Sequence, residues 1–540
     1  MTEVITDQLP PILHGPSDKE KKYDRQLRLW AASGQQALED AHLLLLNSGA
    51  GTVGVETLKN LVLPGIGKFT IADPANVEAA DLGVNFFLDE ESLGQSRAES
   101  CVKLLQELNP DVKGEWFQST KERAPFDPQP KYTIILYTNP IEPQALEAAQ
   151  SYALKNKVPL VAIHSAGFYS YFRTFLPSSF PIVDTHPDST ATTDLRLLTP
   201  WGELSEFAAD LTKDIDKQDA HEHGHIPWIA LILHFLTKWK DDHGSLPSTY
   251  KDKTAFRKLV ADATRTNNPE GGEENFEEAV AAVLKTVSAP TLSSAVREVF
   301  DHKPNEVRQS WSPKFASDRI QLESSSNFWI IADAIKQFYQ KHNQLPLPGS
   351  VPDMKAQSTV YVKLQGIYKS KARRDVAEVL ETVRAHPSGK DIDAAEVESF
   401  CKNAAFIKLI HGSDLRKPID PEVAMKELES DESAALYMAP LSLVPIYLSL
   451  EATAHVSSLS GSEILATIDK NIPGATSNLR LVQIAAEVAR AKGGELHNIS
   501  ALTGGMVAQE VIKIITKQYV PIDNLCIFDG ITSRAQVLRI

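Results

Sequence analysis

Cysteine is scarce in this chain: three in 540 residues, Cys101, Cys401 and Cys526, with no C-x-x-C pair. That excludes a disulfide framework and a cysteine-based zinc site, and it fits a reducing compartment. Long apolar runs are missing too. The most continuous, 226–236, is far too short for a bilayer and contains His234. Positive charge is in deficit: 55 Lys and Arg stand against 70 Asp and Glu, a net charge of −15. An acidic chain suits neither nucleic-acid phosphates nor anionic lipid, so proteins or small molecules are the expected ligands. Taken alone, the charge is better read as a plain solvated acidic surface. The polar first 22 residues, with two acids in the first seven, do not read as a signal peptide. A cytosolic or nuclear protein is expected.

What is present begins at 43–46, an apolar strand running into Gly49-x-Gly51-x-x-Gly54. A second strand, 68–72, ends on Asp73. This is the grammar of a nucleotide-binding βαβ unit. Gly49 permits a tight turn, Gly51 lets a backbone approach a phosphate, and Gly54 allows close helix–strand packing. A helix begun near Thr52 would aim free amides at an anion, and Asp73 stands where an acid reaches a ribose hydroxyl. The bare glycine pattern is weak; its flanking strand, helix and acid specify the fold. They leave open whether a nucleotide binds or the glycines serve packing alone.

At 540 residues with 42% apolar content, two to four domains are expected. Residues 1–20 read as a loose tail. Up to about 181, candidate strands 43–46, 68–72, 131–137 and 159–164 and a candidate helix 96–108 predict a doubly wound sheet. From about 184 to 469 helical periodicity dominates: Phe276, Val280, Val283, Leu284 and Val287 share a stripe, as do Phe328, Ile331, Ala332, Ile335, Phe338 and Tyr339. Such stripes are core, not cofactor boxes. Breaks at 246–247, 268–272 and 345–349 separate helices, and 415–469 is the least readable segment. A glycine-opened helix, 502–517, and a strand, 525–528, return the pattern to α/β. One sheet domain interrupted by an insertion is predicted.

Two enzyme classes use such a first unit: dinucleotide oxidoreductases and enzymes that adenylate a carboxylate with ATP. The second needs cations around the triphosphate, an Asp to hold Mg²⁺ and, for thioester transfer, a nucleophilic cysteine. KYDRQLRLW (22–30), LKNLVLPGIGKFTIAD (58–73), NFFL (85–88), HPD (186–188), ENFEEA (274–279), PDM (352–354), YVKLQGIYKSKARRD (361–375) and GGMVAQEVIKIITKQ (504–518) then narrow the choice. On these words the chain resembles the activating enzymes of ubiquitin-like modifiers. Within them it resembles the regulatory subunits of the heterodimer of the neddylation pathway. The first and last words recur across the superfamily; the middle ones belong to this subunit.

The resemblance implies an α/β fold: a Rossmann-like, ThiF/MoeB-type adenylation domain over 1–180 and 490–540, interrupted by a helical insertion, 181–489. That insertion would be the counterpart of half a catalytic-cysteine domain, without a nucleophile. The departures are specific. Where catalytic halves carry N-x-x-R-Q-F, this chain reads Asp81-Leu82-Gly83-Val84-Asn85-Phe86, with Val84 for the Arg. Arg97 stands for the usual Lys, and neutral Asn139 for the metal-holding Asp. No cysteine has a nucleophile's context, so each is expected as a buried small hydrophobe.

The implied function is that of a catalytically inactive partner. It pairs with a catalytic subunit that binds ATP and Mg²⁺, adenylates the modifier and forms the thioester; a conjugating enzyme and cullin-type ligases follow. Arg25, in Tyr23-Asp24-Arg25-Gln26, would reach in trans to the partner's ATP phosphates. The bland alternative makes Arg25 an ion pair fixing the first helix, and Arg28 reads as an interface or structural residue. Gly49, Gly51, Gly54 and Asp73 would be vestigial, with no cofactor and no metal held in this chain. His221-Glu222-His223-Gly224-His225 hints at a metal but reads better as a solvated loop. Gly504, Gly505 and Ala508 suggest close helix packing, and the basic run 369–374 reads as a solvated helix face, with a partner surface as the lesser alternative. The rivals are an NAD(P)-dependent oxidoreductase, a self-sufficient adenylating enzyme, and a scaffold to which Arg25 adds nothing.

Overall fold

Four consecutive leucines, Leu43 to Leu46, are each at most 1% exposed, so this strand is covered on both faces. Only the centre of a sheet with helices on both sides offers that. The computed structural model describes residues 15–119, 124–126, 131–177, 179–188, 194–266, 271–288, 291–302, 327–412, 418–456 and 458–540. It divides into unit 1, residues 1–182 and 410–540, and unit 2, residues 183–409. Of the tail expected over 1–20, residues 1–14 lie outside the described residues. So do 268–270 of the 268–272 break and 415–417 of the unread segment. From Ser17 onward the tail is not loose, because Ser17 and Glu20 form a capping box on the helix Asp18–Lys22.

Unit 1 is built on an eight-stranded sheet. Its strands are β1 (His42–Leu46), β2 (Lys68–Ala72), β3 (Lys113–Phe117), β4 (Ile134–Thr138), β5 (Leu160–Ala166), β6 (Tyr169–Phe175), β9 (Leu525–Asp529) and β10 (Arg534–Leu538). A two-stranded sheet of β7 (Phe180–Val183) and β8 (Ile407–Ile410) completes the numbering. The large sheet runs β10-β9-β6-β5-β4-β1-β2-β3. Strands β3, β2, β1, β4 and β5 are parallel, and β6, β9 and β10 add an antiparallel wing. The order reverses between β1 and β4, and the crevice at their carboxyl ends is where such sheets bind ligands. The sequence reading finds β1, β2, β4, β5 and β9 but passes over β3, β6 and β10 of this sheet and the pair β7 and β8. β3 is an edge strand with three exposed residues, and β6 is buried along its length, so neither alternates cleanly.

The helix Thr52–Val62 buries nine of its eleven residues between the sheet and the helix His497–Thr516. Their contact is backbone-close: a Cβ on Gly504 would lie 2.8 Å from the carbonyl carbon of Glu56 and the amide nitrogen of Thr57. Ala508 is buried too, but a Cβ on Gly505 would meet nothing within 4 Å, so only part of the expected small-residue face is packed.

The insertion expected over 181–489 closes earlier, at 409. Leu443, Val444, Tyr447, Leu450, Ile464, Leu481 and Ile484 share one core with Tyr169 and Tyr171 of β6 and Leu525 and Ile527 of β9. Residues 410–489 therefore pack with the sheet: the antiparallel wing needs a cover, and the helices Val444–Thr453 and Leu479–Ala491 supply it. Unit 2 is helical with two cores. One gathers Phe276 and Val283 around the helix Trp228–His243; the other gathers Ile331, Ile335 and Phe338 with Val379 and Val383.

Candidate functional site

The three segments that leave the carboxyl ends of β1, β2 and β4 converge at the crevice. After β1 the chain turns through Gly49 and Gly51, both left-handed at φ 62° and 68°, and Gly51 caps the helix Thr52–Val62. The space the glycines leave is filled from within. A Cβ on Gly51 would sit 2.3 Å from Nδ2 of Asn47, and one on Gly54 2.6 Å from its Oδ1. Asn47 is 1% exposed and donates to Asp73 Oδ2 at 2.8 Å.

Asp73, at the end of β2, is wholly buried. Arg97 Nε donates to its Oδ2 at 2.7 Å and Nη2 to its Oδ1 at 3.1 Å, a bidentate pair. The Ala75 amide donates to Oδ1 at 3.0 Å. With Asn47, that makes four bonds on two oxygens, so no acceptor is left for a ribose hydroxyl. The same guanidinium folds over the glycine turn: Nη2 donates to the Gly49 carbonyl at 2.9 Å, and Nη1 to Ala50 at 3.1 Å and Asp81 at 3.3 Å. Arg97 is thus an internal lock rather than an outward cation.

The amino end of the helix Thr52–Val62 is also taken. The Val53 amide donates to Glu495 Oε2 at 2.8 Å, and the Ser500 hydroxyl donates to the same oxygen at 2.5 Å. A carboxylate of this chain stands where the glycine pattern predicts a phosphate. Burial pushes the Glu495 carboxyl up to about 7, against the pull of Ser500 and the Val53 amide.

After β4, Asn139 donates its amide to the Tyr171 hydroxyl at 2.9 Å, and Tyr171 in turn bonds Glu451 on the helix Val444–Thr453. Val84 lies half-buried in a turn, and the neighbouring Phe86, 69% exposed, stacks on His497 at 3.8 Å.

Arg25 lies apart from this cluster. It is exposed on the first turn of the helix Asp24–Glu39, and it has no hydrogen bond or ion pair among the described residues. The ion pair at this end of the helix belongs to Arg28, which meets Asp24 at 3.0 Å. Tyr23 anchors this helix instead, buried with its hydroxyl accepting from Asn109 Nδ2 at 3.0 Å.

The three thiols are buried, which pushes Cys101 and Cys401 up to about 12 and Cys526 to about 11. The 221–225 histidines are not a solvated loop. His221 and His223 lie on the short helix Ala220–Gly224 and His225 caps it, with His223 buried against Phe276 and its Nδ1 2.7 Å from Glu273 Oε1. Among the described residues no group of three or more His, Cys, Asp and Glu side chains converges as a metal set. A cavity of about 510 Å³ lies elsewhere, in unit 2 beside Phe300, Trp329, Lys336 and His386.

Of the residues singled out in the sequence, Gly49, Gly51, Gly54 and Asp73 meet at this crevice and Arg25 does not; sequence reasoning misses what Asn47, Arg97 and Glu495 do there. Arg97 carried a signal only as the residue standing for the usual Lys, since its acid on β2 is 24 residues upstream. Glu495 carried none, since its partner is 442 residues away.

The ThiF family model matches residues 23–540. A NEDD8-activating enzyme E1 regulatory subunit of Xenopus laevis is 35% identical over 556 residues, covering 97% of this chain and 99% of that protein. Proteins of the same description are 34% identical in Gallus gallus, covering 97% and 98%, and 34% identical in Drosophila melanogaster, covering 97% and 98%.

Proposed function

This chain belongs to the ThiF family and, within it, to the NEDD8-activating enzyme E1 regulatory subunits, and from that premise we propose that it is the non-catalytic half of a heterodimer. The catalytic subunit binds ATP and Mg²⁺, adenylates the C-terminal glycine of the ubiquitin-like modifier and takes it onto its own cysteine. This chain sustains that subunit, holds no cofactor or metal of its own, and lends Arg25 in trans to the ATP phosphates. The loaded modifier then passes to a conjugating enzyme, in the cytosol or the nucleus.

One contrast carries the reading. The groups that would meet a nucleotide are spent on one another, Arg97 on Asp73 and Glu495 on the Val53 amide, whereas Arg25 is exposed and unspent. A nicotinamide dehydrogenase would need an acceptor that Asp73 no longer has. A self-sufficient adenylating enzyme would need a cation at Val84 and a carboxylate at Asn139, and thioester transfer would further need an accessible thiol. A partner surface is also on hand: Leu502, 47% exposed, with Gly505, Met506, Phe172 and Ile522 lines an apolar groove in unit 1.

The test is Arg25→Ala in the reconstituted heterodimer. Adenylation is expected to slow by about tenfold or more, each factor of ten being about 1.4 kcal/mol of barrier, with assembly unchanged. An unaltered rate would leave a pure scaffold.

A further inference from the structure

The helix Ser358–Ala385 of unit 2 spends one side on the core, through Leu364, Tyr368, Asp375, Val379 and Val383. Its other side carries Val362, Gly366, Lys369, Ser370, Arg373 and Ala377, all exposed. These positions recur at three- and four-residue intervals and so share one face. In a chain of net charge −15, this stretch is locally inverted: Lys363, Lys369, Lys371, Arg373 and Arg374 stand against a single acid, Asp375, between 358 and 375.

The cations divide into spent and unspent. Lys371 pairs with Asp375, and Arg374 makes a bidentate pair with Glu203 at 2.8 and 2.7 Å. Lys363 sits over the Phe207 ring at 5.6 Å. Lys369 and Arg373, on the outward face, have no hydrogen bond or ion pair among the described residues.

Gly366 is the second observation. It lies inside a 28-residue helix, where glycine is a standing cost relative to alanine. No positive φ requires it, and a Cβ there would meet nothing within 4 Å. Gly504 is explained by the helix it touches; nothing among the described residues explains Gly366. One turn away, Val362 is 63% exposed. A bare backbone beside unspent cations is what a second backbone needs for close approach.

We propose that this face binds an extended acidic segment of a partner protein, whose backbone passes over Gly366 and whose carboxylates reach Lys369 and Arg373. The spacing suits it. Alternate side chains of an extended strand fall about 6.6 Å apart, and Lys369 and Arg373 are about 6 Å apart along the helix axis. Two unspent cations neutralise too few phosphates to hold nucleic acid against the field of a −15 chain.

The test uses the full chain and a fluorescent twelve-residue peptide alternating aspartate and serine, at low salt. The peptide binds and is released as salt rises, and Lys369→Glu with Arg373→Glu weakens it about tenfold. Gly366→Ala leaves the thermal midpoint equal or higher yet weakens the peptide severalfold, which a merely structural glycine would not do. Equal binding by the double variant overturns the proposal. So does a DNA duplex or a phosphatidylserine vesicle that binds through the same residues more tightly than the peptide. Self-association that the double variant abolishes assigns the face to a second copy instead, and also overturns it.

Discussion

Glu495 accepts two hydrogen bonds, yet its carboxyl is held up at about 7 by burial. A carboxyl raised in the folded state contributes stability that is fully present below its ordinary value near 4.5 and is lost as pH rises through 7. Glu495→Gln keeps an acceptor for the Val53 amide and removes the titration. Relative to the parent, the variant is expected to gain stability between pH 5 and 8 by roughly 3 kcal/mol, read from urea unfolding at the two pH values. A parallel pH dependence in both chains would contradict this. Arg97 carries the larger structural load. Arg97→Met leaves Asp73 and Asp81 buried without their counter-charge, and the expected loss is about 3–5 kcal/mol, measurable by the same unfolding. From sequence, Arg97 stands for the Lys usual in catalytic halves. Its direction was illegible because it depends on acids 24 and 16 residues upstream closing around it.

At the scale of elements, the helix His497–Thr516 shows how far a motif can be read. Gly504 and Gly505 are adjacent, and both read as close-packing residues. Only Gly504 is one: a side chain there drives into the backbone of the helix Thr52–Val62. Gly504→Ala is expected to cost about 1–3 kcal/mol, while Gly505→Ala, facing open space, is neutral or stabilising by up to about 1 kcal/mol. Thermal unfolding of the pair decides it, and equal losses at both positions would contradict the packing account. The groove on the outer side of this helix leads to a further expectation: Leu502→Asp leaves the isolated chain's unfolding unchanged but weakens its assembly with the catalytic subunit, seen by size-exclusion chromatography. The strands show the same boundary of legibility. β1 announces itself by four leucines buried on both faces, whereas β3 and β6 become strands only through their neighbours.

At the scale of the molecule, the glycine pattern, the β2 acid and the return to α/β near the carboxyl end are enough to specify a Rossmann-like sheet with an inserted helical unit. The extent of that insertion is not legible. Helical periodicity is read only to about 469 and is least readable over 415–469, and nothing local tells a helix that covers β6 and β9 from one that belongs to unit 2; only the shared core around Tyr171, Tyr447 and Ile527 assigns it. The same holds for function. The motifs locate a nucleotide site, and Val84 and Asn139 already speak against its use; the self-satisfied bonding of Asp73, Arg97 and Glu495 is a tertiary fact no motif shows, and it supports the same proposal of a chain that serves a partner that uses ATP. ATP–pyrophosphate exchange, with the modifier present, tests this most directly. The account predicts no exchange by this chain alone and full exchange once the catalytic subunit is added; exchange catalysed by the isolated chain would contradict it.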